Sequence, residues 1–252
     1  MKDEGKDKSD KMETKLKAVY ELTKVFSAIG HITDEAMLCF KPSGLEIREM
    51  DNSNISMLSV AMQPSLLTEY VANVEVKAGV NLENLNKMLK TIPKGEEFTI
   101  RINNNAIEIN TKHKSFSLPI IEMKQRVDKD INLESTNTII FNVAEFRDAL
   151  KDLSQISDYA HINISNGNLT LDAEGESGSV ENEYNNKVIR SIKPITNLCF
   201  NIAEMQKLIK EANKKSNIEI YLNNNEPLKV VYELAGQKLR GFLAPYIASE
   251  DA

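Results

Sequence analysis

Apolar residues recur along this chain with two periods, and the order in which those periods alternate occurs twice. Leu22, Val25, Phe26 and Ile29 stand three and four residues apart, which predicts an amphipathic helix, and Phe146, Ala149, Leu150 and Leu153 repeat the pattern later. Alternation takes over in MLCFKPSGLEIREM and in HINISNGNLTLDAEG. Each is broken by small turn residues, Pro42-Ser43-Gly44 and Asn166-Gly167, so each reads as a β-hairpin. Leu82, Leu85, Met88 and Leu89 then mark a second helix, answered by Ile202, Met205, Leu208 and Ile209. Strands FTIRI, AIEINT, IEIYL and LKVVYEL complete the two series.

The repetition extends to residue identities. His31 to Ile47 lies over Gln155 to Leu171 without a gap, and Val80 to Asn105 runs parallel to Phe200 to Asn225, both ending on three asparagines. Two copies of a unit this long are two duplicated domains rather than solenoid repeats. Two helices and many strands per copy give an α+β fold, each domain with two helices packed on antiparallel sheets. The expected boundaries are a disordered charged tail at 1–13, a first domain at 14–117, a connecting loop at 118–133, a second domain at 134–247 and a short tail at 248–252. In that loop Ile120, Ile121, Met123, Val127 and Ile131 are apolar, either because they tie the loop onto the body or because a partner binds there.

Charge narrows the function. With 31 Lys and Arg against 37 Asp and Glu, the net charge of -6 excludes a surface that coats nucleic acid or anionic lipid throughout, so any such affinity is local. Cys39 and Cys199 lie in apolar runs, with no signal peptide or membrane-length span, which predicts a reduced intracellular protein with no membrane partner. His31, His113 and His161 are scattered, and no metal-ligand spacing, nucleophile motif or phosphate loop accompanies them; no metal, no cofactor and no catalysis are expected. Asp34 and Asp158 are equivalent in the repeat and follow the first helices, where a turn role accounts for them.

Three stretches carry a family resemblance: EMDNSNIS from Glu49 to Ser56, GVNL from Gly79 to Leu82, and Leu243-Ala244-Pro245. The chain from Leu16 to Ile247 resembles the archaeal and eukaryotic sliding clamp, proliferating cell nuclear antigen. The resemblance implies a trimeric ring with pseudo-six-fold symmetry, helices lining the hole and sheets outside. Such a ring encircles double-stranded DNA without reading sequence, is placed by a clamp loader, and tethers DNA polymerase, flap endonuclease and ligase through short motif peptides. It also implies a cytoplasmic, nucleoid-associated site in an archaeon, or the nucleus in a eukaryote.

Lys87 and Lys90, and Lys207, Lys210 and Lys214, project away from the apolar stripes of the second helices, as a DNA-facing surface or as an ordinary solvated face. Lys87 and Lys90 match DNA-facing family positions; Lys24 and Lys151 match basic ones, with Arg147 nearby, whereas Asp148 and Gly30 stand where cations are expected. The basic strand Thr111 to Leu118 (Lys112, His113, Lys114, Ser115, Phe116) and the acidic strand Ser179 to Tyr184 (Val180, Glu181, Glu183) match edges that pair head to tail in the family, Lys112 and Lys114 facing Glu181 and Glu183. As plain charged edges they would instead only prevent aggregation. The client pocket maps onto Met50, Asn54, Met57, Pro227, Phe242, Ala244 and Pro245, together with the loop. Met50 and Phe242 also suit a core, and Asn54 and Tyr246 replace a common histidine and lysine. A homotrimer, a specialised paralogue in a heterotrimer, a protein-only scaffold and a metal-dependent nuclease remain as alternatives.

Overall fold

A computed structural model describes residues 14–103, 105–127, 131, 133 and 135–247; the tails expected at 1–13 and 248–252 lie outside the described residues. The first half runs β1 (Thr14–Val19), α1 (Thr23–Ile29), β2 (Glu35–Lys41), β3 (Gly44–Met50), β4 (Ser56–Met62), β5 (Glu69–Ala72), β6 (Val76–Asn81), α2 (Leu82–Leu89), β7 (Glu97–Asn103), β8 (Ala106–Asn110) and β9 (Ser115–Pro119). The second repeats that order: β10 (Asn137–Asn142), α3 (Val143–Leu153), β11 (Tyr159–Ser165), β12 (Asn168–Gly175), β13 (Gly178–Tyr184), β14 (Val188–Ser191), β15 (Ile195–Asn201), α4 (Ile202–Leu208), β16 (Asn217–Leu222), β17 (Leu228–Leu234) and β18 (Gln237–Leu243). The α+β reading and the duplication both hold.

Local chemistry explains the element boundaries. Asn81, Asn142 and Asn201 precede α2, α3 and α4, and each side chain accepts a backbone N–H of the first turn. Asn166 and Gly167 both take positive φ, 51° and 81°, the mirror-image turn whose twist suits a two-residue hairpin. The helical stripes point inward: Leu22, Val25, Phe26 and Ile29 are buried, as are Phe146, Ala149, Leu150 and Leu153. Helix α4 is shorter than its spacing predicts. Ile209 leaves the helical region at φ -107°, ψ 6°, so Lys210 and Lys214 lie beyond the helix. The basic strand also starts later than expected, because Thr111 to Lys114 closes a turn in which the Thr111 hydroxyl accepts the Lys114 N–H at 3.1 Å.

Three antiparallel sheets result. A five-stranded sheet runs β5-β1-β7-β8-β9, a four-stranded one β13-β12-β11-β15, and a nine-stranded one β14-β10-β16-β17-β18-β4-β3-β2-β6. The last crosses from one half to the other where β18 pairs with β4, Leu239 opposite Val60 through to Leu243 opposite Ser56. One contiguous buried cluster spans both halves, so they are joined through a shared core as well as a shared sheet.

After β9 the chain stays on the body. Ile121 donates its N–H to the Gly79 carbonyl at 3.0 Å, along the free edge of β6. A Cβ on Gly79 would stand 2.3 Å from the Ile121 carbonyl oxygen, so only glycine admits this approach. Ile121, Met123, Gln125 and Val127 turn inward, whereas Glu122, Lys124 and Arg126 are exposed. The second half repeats the device: after β18, Tyr246 donates to the Cys199 carbonyl at 2.8 Å, along β15.

Candidate functional site

The helices form a row, α2, α1, α4, α3. Asn86 on α2 donates to the Phe26 carbonyl on α1 at 3.2 Å. Ser27 and His31 reach Glu211, just past α4, at 2.8 and 3.0 Å. Arg147 on α3 donates to the carbonyls of Ile209, Lys210 and Ala212. The His31 and Ser27 contacts hold the Glu211 carboxyl below its usual range despite its burial.

Of the expected cations, Lys24, Lys87, Lys90, Lys151, Lys207, Lys210 and Lys214 are exposed on or beside these helices. Lys87 is ion-paired with Glu83 and Lys207 with Glu204, both at 2.6 Å. Arg147 differs from the expectation: its guanidinium binds the carbonyls of the turn that follows α4, the end of the helix where a positive charge is favourable to the helix dipole. Spacing along α3 alone gave no sign of that partner.

β9 ends the five-stranded sheet and β13 ends the four-stranded one, so both offer an unpaired edge. In the repeat β9 takes the place of β18, and β13 that of β4. Carrying the register of β18 on β4 over to these edges sets Phe116 opposite Val180, Lys114 opposite Asn182, Ser115 opposite Glu181 and Leu118 opposite Gly178. Phe116, Val180 and Tyr184 are half-buried. The transferred register places Lys114 and the two glutamates, Glu181 and Glu183, on opposite faces, unlike the pairing expected from charge. Lys114 in fact donates to the Thr91 carbonyl of its own chain at 2.7 Å, and Lys112 and His113 sit in the turn. Asn182, unremarked in the sequence, has its amide nitrogen buried without a hydrogen-bond partner among the described residues.

The connecting loop meets the second candidate region. Met57, Phe242 and Val127 pack together, buried, with Met50, Ile131 and Leu133 partly exposed around them. Asp51 shapes the neighbouring loop by accepting the N–H groups of Ser53, Ile55 and Ser56, which leaves Asn54 at φ 57°. Ala244 donates to the Ile55 carbonyl at 2.8 Å, and Pro227 and Pro245 are half-buried. Arg126 reaches the Asn52 side chain at 3.0 Å. Glu49, 1 % exposed, accepts the Met37 N–H at 2.6 Å with one oxygen and has no partner on the other among the described residues. Burial pushes its carboxyl up to about 7, against the lowering effect of that N–H and of Arg126.

Among the described residues no group of three His, Cys, Asp or Glu side chains could hold a metal ion, and no helix is long and apolar enough to cross a membrane. His31 faces Glu211, His161 faces Asp172 at 3.3 Å, and His113 lies in the exposed turn. The equivalence of Asp34 and Asp158 extends to their carbonyls, which accept the first N–H of α2 and of α4.

Residues 11–136 match the family model of the proliferating cell nuclear antigen N-terminal domain, and residues 129–247 that of its C-terminal domain. The DNA polymerase sliding clamp of Methanococcus maripaludis strain C7 is 24% identical over 91% of this chain and 96% of its own length. That of Pyrococcus abyssi is 24% identical over 90% and 95%. Among solved structures, A. fulgidus PCNA with the C-terminal region of FEN-1 superposes with a TM-score of 0.85 at 22% identity, covering 94% of this chain and all of that one. A PCNA2-PCNA3 complex from Sulfolobus tokodaii gives 0.79 at 22% identity, covering 93% and 99%.

Proposed function

This chain belongs to the proliferating cell nuclear antigen family, and from that premise we propose how its free edges, helix row and loop perform the work of a DNA sliding clamp. Three chains close head to tail, β9 of one on β13 of the next, in the register that β18 and β4 already use within the chain. The observation that carries this is that both edges are open and that Phe116 and Val180 are apolar and half-buried there. Closure turns the helix row toward the hole. Lys24, Lys90, Lys151, Lys210 and Lys214, with Lys87 and Lys207 beside their glutamates, then face phosphates through screened contacts that hold DNA without pinning it. Arg147 supports the lumen by fixing the end of α4. Retention is topological, and the clamp acts without catalysis or cofactor wherever its DNA resides, nucleoid or nucleus.

Client motif peptides from DNA polymerase, flap endonuclease and ligase dock over Met50, Met57, Phe242 and the loop, with Asn54, Pro227, Ala244 and Pro245 at the margin. Glutamine in such a motif addresses backbone carbonyls, and methionines adapt to the plug. A subunit of a mixed ring is the second reading. Asn182 favours it, because its unpaired amide suits an acceptor that Lys114 of an identical neighbour lacks. The test is primer extension on circular DNA with polymerase and clamp loader. Longer products with this chain alone support the homotrimer; extension only with a second clamp chain supports the mixed ring; no extension in either case contradicts both.

A further inference from the structure

The two halves differ where a hairpin meets the short strand next to the first strand of its domain. In the first half Tyr70 on β5 closes that place. Its hydroxyl donates to the Lys41 carbonyl at 2.7 Å, accepts the Lys41 N–H at 3.1 Å, and its ring stacks on Phe40 at 6.5 Å. In the second half Val188 holds the corresponding position: Leu16 faces Tyr70 as Ile139 faces Val188, and Leu16 and Ile139 pair with the equivalent residues Ile100 and Ile220. Ser165 stands where Lys41 does. The smaller valine leaves a notch of about 490 Å³ between the Ser165–Gly167 turn and β14. β14 also ends the nine-stranded sheet, and Ile189 and Ile192 beside the notch are 60% and 58% exposed. Arg190 and Lys193 line it, no acidic residue does, and neither cation is ion-paired among the described residues.

We propose that β14 and this notch form a docking site for an extended acidic segment of a partner protein that carries a tyrosine. The open edge offers backbone hydrogen bonds to an added strand, the isoleucines offer apolar contact, and Arg190 and Lys193 select carboxylates on a chain that is acidic overall. The aromatic ring fills the space that Tyr70 fills in the other half. The site is separate from the Met50 and Phe242 region and needs no ring closure. The test is fluorescence anisotropy with a labelled peptide of glutamates and isoleucine around a central tyrosine. Saturable binding is expected, weakened about tenfold by Val188→Tyr, which fills the notch from within, and about tenfold by Arg190→Glu with Lys193→Glu. Ile189→Ser, at an exposed position, gives a second variant that leaves folding unchanged and also weakens binding. Absence of saturable binding to the unaltered chain would overturn the proposal. So would equal affinity for a lysine-substituted peptide, unchanged affinity in the variants, or amide shifts at Ser165 to Gly167 that follow protein concentration instead of peptide.

Discussion

The joint that β18 makes with β4 inside the chain can be set beside the joint proposed for β9 and β13 between chains. On the inward face the first pairs Leu239 with Val60, Gly241 with Leu58 and Leu243 with Ser56. The second, given the same register, would pair Lys114 with Asn182, Phe116 with Val180 and Leu118 with Gly178. One position moves the larger side chain to the other strand and enlarges the pair, Gly241 with Leu58 becoming Phe116 with Val180; a second keeps its leucine opposite a small residue; the third replaces an aliphatic pair by a polar one. The clasps differ as well. Glu211 ties Ser27 and His31 across the inner joint, and Glu204 accepts from Ser56 at 3.1 Å. By the repeat, the corresponding residues of the proposed outer joint are Thr91 with Lys151 and Gln155, and Asn84 with Gly178, none of which is a carboxylate. Duplication kept the strand order and altered the chemistry: an apolar joint holds the two halves of the chain together, and the joint proposed between chains carries a polar pair in its place, which suits a contact that must open to admit DNA.

The largest expected effects separate the two joints. Leu239→Ala, at a fully buried position, should destabilise the fold by about 2–5 kcal/mol in urea unfolding, whereas Phe116→Asp should abolish assembly in sedimentation while costing the monomer only about 1 kcal/mol, since Phe116 is packed against the core on one side alone. A smaller effect concerns Glu49, whose partner in the repeat is Ala173. Folded, the Glu49 carboxyl keeps its proton up to about 7; unfolded, it loses it near the ordinary value of 4.5. The folded state therefore binds more protons in that window, so stability is full below the lower value and falls as pH rises through the upper one, by roughly 3 kcal/mol. Glu49→Gln should flatten that slope in thermal melts at successive pH values; an unchanged slope would remove Glu49 as its cause. Gly79→Val should lift Ile121 from β6 and weaken client-peptide binding severalfold in titration calorimetry, with assembly intact. Smallest is the conversion of the polar pair: Asn182→Val with Lys114→Leu should tighten the ring by about 1 kcal/mol, read as slower subunit exchange.

Much of this architecture was legible in the chain because most elements bury one face and leave the other solvated. β3, β11 and β12 alternate, and α1 to α4 carry three- and four-residue spacing, whereas β2 is buried on both faces from Ala36 to Phe40. β4 gave no such signal: it lies between β3 and β18 in the wide sheet, and SMLSVAM is buried at nearly every position on both faces. The end of α4 was obscured because Ile209 and Ala212 stay buried after the helix has stopped. Side-chain partners were harder still. Arg147 looked like one more surface cation until the backbone brought the end of α4 beside it, and Lys114 found the Thr91 carbonyl rather than a glutamate. Glu49 carried no mark of its burial beyond standing opposite an alanine in the other copy.

The central claim is that the free edges meet in the inner joint's register. It is tested most directly by oxidising a chain bearing Phe116→Cys and Val180→Cys, with Cys39→Ser and Cys199→Ser to remove the native thiols. Oxidation should give a covalent species of three times the 28.4 kDa chain mass, and little cross-linking when Ser115→Cys replaces Phe116→Cys. A chain that stays monomeric after oxidation, or that links equally through either cysteine pair, would contradict it.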